Sequence, residues 1–263
     1  MINNQELGSL KISGSGEAGG GRYEEVSISG SGKITGDIEC NSFKISGSGK
    51  VQGNLSTKDF RISGSGSILG ELNCIEGKIS GSGKITSNVK ADDFRISGSG
   101  KIEGDFRGKE FGISGSGTVL GGIYCEKMKL SGSATIEKSI EAEIVDLSGG
   151  FRVGGMINAG EAQIYVGGNS YVEEIGATKV TVSERPINVN GIIGWIAKTF
   201  GSNYGYLHVK TIEADEIFLE NTIADVVRGQ NVTIGNGCKI KTVEYSGELK
   251  VEGNAVIEER IKI

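Results

Sequence analysis

Histidines, cysteines and clustered carboxylates carry most protein chemistry, and this chain has one histidine, His208, and four cysteines in 263 residues. A histidine acting as general base in an acyl-transfer site of the hexapeptide-repeat type would need a cleft between subunits and a nucleophile beside it. No motif around His208 supplies either, and a single histidine at the start of an alternating segment reads as structural. The strings GSGK at Gly30–Lys33 and Gly47–Lys50 look like phosphate loops. A Walker A loop, however, needs G-x-x-x-x-G-K-[ST] between a strand and a helix. Here Ile34 or Val51 follows the lysine, and no helical pattern comes next. No Cys–His spacing suits a zinc centre. Asp37, Asn54, Glu71, Asn88 and Asp105 fall at one repeated position and read as a solvated column. Glycosidase and lyase carboxylates need a cleft instead. An ice-binding face would show threonine ladders, where this chain places Ser46, Ser48, Ser63 and Ser65. The reading is of a protein that is not an enzyme, with no catalytic, cofactor-binding or metal-binding residues and no cofactor.

The elements that hold these residues repeat. SGSG follows an isoleucine at Ile12, Ile28, Ile45, Ile62, Ile79, Ile96 and Ile113, then decays to LSGSA at Leu130 and LSGG at Leu147. The first step is 16 residues and the later ones 17. A fixed period of this size marks a solenoid, whose units bury their apolar faces only by stacking. With the isoleucine as position one, position seven is Ile34, Val51, Ile68 and their equivalents, and position eleven is Ile38, Leu55, Leu72 and theirs. Position thirteen is small (Cys40, Thr57, Cys74, Ala91). Position sixteen is bulky (Phe43, Phe60, Phe94, Phe111), with a gap at Gly77.

Even spacing of apolar positions is the in–out alternation of strands. Three short strands and three Gly/Ser corners per unit predict an all-β fold. It is a single-stranded parallel β-helix of triangular section, each strand pairing about 4.8 Å from its equivalent one coil on. Gly47 and Gly49 are both expected to face inward. About 14 coils fit the chain, a length of about 65 Å at strand spacing. Ile212, Ala214, Ile217 and Leu219 match positions eleven, thirteen, sixteen and one. The expected organisation is one continuous rod: residues 1–182 repetitive with an N-terminal cap, 183–206 an irregular apolar insertion, and 207–263 the last coils with EERIKI as a charged cap.

Hydrophobic content of 37% with 45 glycines would suggest disorder without a period. The single proline, Pro186, lies outside the repeats, as strand ladders require. A net charge of −5 argues against a nucleic-acid partner. A basic column at position seventeen (Lys44, Arg61, Lys78, Arg95, Lys129) runs beside acidic residues at position fifteen (Asp59, Glu76, Asp93, Glu110). The two neutralise each other on a solvated face, with a polyanion groove as the alternative. Cys40, Cys74 and Cys125 share the small column two or three coils apart, roughly 10 to 15 Å, too far for a disulfide. Unpaired core thiols and no visible signal sequence place the chain in the cytoplasm.

The insertion carries Ile192, Ile193, Trp195, Ile196 and Phe200, which could line one side of a short helix. It either folds back on the solenoid, contacts a partner or another copy, or touches a membrane surface. The last reading makes the protein membrane-associated, although a single lysine, Lys198, gives little attraction to lipid.

The stacked units I-S-G-S-G-K-I-x-G-x-I resemble the bactofilins, bacterial polymer-forming cytoskeletal proteins. The closing stretch ADVVRGQNVTIGNGCKIKTVEYSGELKV is similar to the longer bactofilin-like proteins of spore-forming Gram-positive bacteria. The resemblance implies a right-handed β-helix that joins end to end without nucleotide, a scaffold for cell shape or cell-wall organisation. Its partners would be other copies of itself and cell-wall or membrane-associated proteins. The end coils would carry the contacts, through Leu7, Leu10, Ile12, Val251, Val256 and Ile257. The alternative is a non-polymerising binding or adaptor module that recognises a protein or membrane surface through residues 183–206.

Overall fold

The structure, a computed structural model, describes residues 7–184 and 205–263. Among these residues there are 21 strands and no helix. The fold is an all-β, parallel β-solenoid of about 14 turns. The chain divides into two compact units, Met1–Lys138 and Ser139–Ile263.

In the first unit each strand pairs in parallel with the strand one repeat away. Ile38 lies beside Leu55, Phe43 beside Phe60, and Ile45 beside Ile62. The opening coil is one residue shorter. Leu10 pairs with Val26 and Ser15 with Ser31, and a register shift between Gly19 and Gly21 then restores the 17-residue offset. The irregular stretch EAGGGRYEE, in the first coil where the N-terminal cap is expected, is thus part of the strand Ser15–Ile28. The columns at positions one, seven, eleven and sixteen are all buried.

The phenylalanine column forms as expected. Phe43 and Phe60 stack with centroids 6.0 Å apart, and Phe94 and Phe111 at 6.1 Å. At the Gly77 gap Phe60 and Phe94 lean together and stack at 6.2 Å, although they stand two coils apart. Phe106, the largest residue in its column, packs 4.4 Å from Phe111. Beside it Gly108 has no room for a side chain, since a Cβ there would lie 1.8 Å from the Ala91 carbonyl oxygen and 2.9 Å from the Phe106 ring.

The motif ISGSG follows from the corner geometry. The amides of Ser46 and Gly47 both reach the carbonyl of Ile28 in the preceding coil, at 2.8 and 3.3 Å. This brings the corner backbones into contact, and a Cβ on Gly47 would sit 2.2 Å from the Gly30 carbonyl oxygen. Gly47 therefore faces the neighbouring coil, which corrects its expected inward orientation. Gly49 does point inward, where a Cβ would lie 2.8 Å from Cδ1 of Ile45. The decay to LSGSA obeys the same constraint. Leucine has no β-branch, and where Leu130 replaces isoleucine the buried Ala134 replaces the inward glycine.

In the second unit the strict period is lost and the columns persist. Ile157, Ile175, Ile212, Val227 and Val243 follow one another in register. Leu219, Ile234 and Val251 form a second column. Coil length changes at the corners instead. Asn221 has φ 46°, the left-handed region that asparagine tolerates, and its side chain donates to Glu184 at 2.8 Å.

Candidate functional site

His208 lies in register with Tyr171 and Ile223 on an outward position. Its ring stacks on Tyr171 with centroids 4.8 Å apart, and Tyr206 sits edge-on at 6.5 Å. The nearby Glu173 and Asp225 are ion-paired to Lys210 and Lys241. No side chain among the described residues hydrogen-bonds the imidazole, so the arrangement is an aromatic ladder. No group of three or more His, Cys, Asp or Glu able to hold a metal ion occurs among the described residues.

The cysteines are apart and free. Cys40 is buried with its Sγ 3.5 Å from the Thr57 hydroxyl, and Cys238 is buried near the Leu219 carbonyl. Cys74 and Cys125 are only half-buried, because the small column lies at the edge of the interior. Burial pushes the Cys74 and Cys125 thiols up to about 12 and Cys238 to about 11. All stay protonated near neutrality, which disarms them as nucleophiles.

Of the columns at positions fifteen and seventeen, the two arginines pair as expected, whereas Lys44, Lys78 and Lys129 make no ion pair among the described residues. Arg61 contacts Asp59 at 2.9 Å, and Arg95 contacts Asp93 at 2.7 Å and Glu110 at 3.7 Å. Arg95 holds the Asp93 carboxyl below its ordinary range. Exposed pairs of this kind contribute little to stability, about 0–1 kcal/mol each. The column at position ten is more than solvated, which corrects the sequence reading. Asp37 accepts from the Asn54 amide (2.7 Å), Asn54 from Glu71 (2.9 Å), Asn88 from Asp105 (2.9 Å) and Asp105 from Gly122 (2.9 Å). Each side chain closes a corner amide one coil on. The recurrence of Asp and Asn at a Gly-flanked corner was the signal, since these side chains cap turn amides.

Of the proposed assembly residues, Leu7, Val251 and Val256 are exposed, at 42%, 38% and 56%. Leu10 and Ile257 are half-buried. Ile12 is buried as the first member of the isoleucine column, and so does not present its side chain to a partner. EERIKI, except for its final Ile263, belongs to the strand Val256–Lys262, which pairs with Lys239–Tyr245. It is the last coil itself, and Arg260 takes the slot next to Val243. Ile192, Ile193, Trp195, Ile196 and Phe200 lie outside the described residues. On either side of them the ladder is in register, with Ser170 paired to Leu207 and Val182 to Leu219.

One surface escaped the sequence reading. The strands beginning Ser31, Ser48, Ser65, Ser82, Ser99 and Ser116 form an exposed face with Ser at position four and mostly Lys at position six. They line an open groove of about 810 Å³. Its signal was the lysine of GSGK, which has no role as a phosphate loop but recurs on one face.

The fold and these surfaces define a parallel β-solenoid with ladders of polar side chains. It is similar to two proteins of Bacillus subtilis (strain 168). They are "Uncharacterized protein YhbF", 37% identical over 110 residues (41% of this chain, 42% of that protein), and "Uncharacterized protein YhbE", 34% identical over 113 residues (43% and 45%). The chain thus spans less than half the length of either relative. No family model matches the chain. No solved structure matches it. No helix among the described residues is long and apolar enough to cross a membrane.

Proposed function

We propose that the protein is a structural scaffold of the bactofilin type that self-assembles through the end coils of its solenoid, without nucleotide, in cell shape or cell-wall organisation. The observation that carries this reading is the last coil. Its strands Leu249–Val251 and Val256–Lys262 are paired on one side only among the described residues. Val251, Val256 and Ile263 are exposed beside that open edge. An unpaired strand edge flanked by apolar side chains is a template for another copy. Electron microscopy and sedimentation of the purified chain test it. Val251→Lys removes apolar burial of about 1–2 kcal/mol per contact and raises the concentration needed for assembly about tenfold. Hydrogen exchange in the Phe43–Phe111 coils is expected to stay unchanged. Monomers at every concentration and salt would end the scaffold reading.

A second reading, an adaptor acting through residues 183–206, is supported by the register across that segment: the ladder closes without it. Deleting those residues is then expected to abolish a protein or liposome interaction while leaving assembly intact.

A further inference from the structure

We propose that the Ser/Lys face of the first unit is a docking surface for an anionic polysaccharide. The proposal is independent of self-assembly.

Lys33 and Lys50 lie side by side, and Lys84 and Lys101 do likewise after Ser67 fills the intervening coil. At strand spacing the four ammonium groups span about 19 Å. Two carboxylates reach them. Glu17 holds Lys33 at 2.7 Å, and Glu103 is shared by Lys84 (3.0 Å) and Lys101 (3.2 Å). Among the described residues no carboxylate lies within ion-pair distance of Lys50. Four positive charges against two negative leave this face locally cationic on a chain of net charge −5. At position seventeen, by comparison, Arg61 and Arg95 each have their own aspartate two residues away, and Glu76 stands two residues before Lys78.

The groove floor and its second column choose the ligand. Position four carries an exposed serine hydroxyl in every coil from Ser31 to Ser116, and the position-five residues between the two columns face inward, so no side chain rises between them. Hydroxyls in a row beside ammonium groups in a row suit a glycan bearing carboxylates or phosphates, with sugar hydroxyls on the serines and acid groups on the lysines. Single-stranded nucleic acid would need aromatic platforms for its bases, and none lines the groove.

The test uses the full chain and polygalacturonate as the probe, titrated at low and at physiological salt, with neutral dextran alongside. The expected result is binding that weakens as salt rises and no binding of dextran. Replacing Lys50, Lys84 and Lys101 by Gln, which keeps the stems, is expected to weaken it about tenfold or more. Lys44→Gln with Lys78→Gln, on the other ladder, should leave it within about twofold. Ser65→Ala with Ser82→Ala should weaken binding without changing its salt dependence, which separates hydroxyl recognition from charge. Circular dichroism confirms that each variant is folded. No binding at low salt would overturn the proposal, as would binding indifferent to the three lysines. Equal retention of single-stranded DNA or of phosphatidylserine vesicles would overturn it too, because the face would then sense charge alone.

Discussion

Gly77→Ala isolates the force that organises the interior. Neither Gly77 nor Gly112 has positive φ, so backbone freedom is not what either supplies. Replacing a strand glycine by alanine ordinarily stabilises by up to about 1 kcal/mol. At Gly77 the new Cβ would lie 2.2 and 2.5 Å from two carbons of the Phe94 ring and 3.2 Å from the Cys74 sulfur. Carbon contacts settle near 3.5–4.0 Å, so the ring must retreat by roughly 1.3 Å. It has nowhere to go, because Phe60, Phe106 and Phe111 hold it at 6.1–6.2 Å between centroids. Overpacking of this kind costs about 1–3 kcal/mol, which outweighs the backbone gain. At Gly112 the added methyl meets only Cγ of Arg95 at 3.6 Å, an ordinary contact, so Gly112→Ala should stabilise by about 0.5 kcal/mol. Urea unfolding gives the totals, and hydrogen exchange of residues 72–79 and 89–96 locates the loss. In a double-mutant cycle, Phe94→Leu should relieve most of the Gly77→Ala penalty, with a coupling of about 1 kcal/mol or more. A Gly77→Ala protein as stable as the parent, or an equal penalty in the Phe94→Leu background, would refute the account of the gap.

Asn54→Ala leaves the Glu71 amide without its 2.9 Å acceptor and should cost about 1 kcal/mol, whereas Lys58→Ala on the exposed face should be neutral by the same denaturation assay. The desolvated thiols make stability fall in alkali. Their folded values, up to about 12, lie above the ordinary 9.0, so the unfolded chain loses thiol protons first, and stability present below pH 9 is lost as pH rises towards 12. Cys238→Ala should flatten that decline by up to about 1 kcal/mol between pH 9 and 10, read from urea midpoints. The native thiols should also react slowly with a disulfide reagent at pH 8 until urea is added.

The 17-residue period by itself determined the parallel solenoid, its buried columns and the stacked phenylalanines. A side chain repeated at the period of the coil stacks on its own equivalents above and below, so the one-dimensional pattern already contains the contacts along each column. Ile212, Ala214, Ile217 and Leu219 could even be placed after the insertion, because their in–out alternation keeps the same phase. The corners were decided in three dimensions. Whether a glycine faces the interior, as Gly49 does, or the preceding coil's carbonyl, as Gly47 does, depends on how the chain turns. Alternation gives no phase through a turn. The same limit hid the role of Asp37, Asn54 and Asn88, whose acceptors meet amides 17 residues away. It also hid the Ser/Lys face. The lysines of successive GSGK strings are distant in the chain, and only the stacking of coils sets their ammonium groups side by side while leaving Glu17 and Glu103 too few to neutralise them.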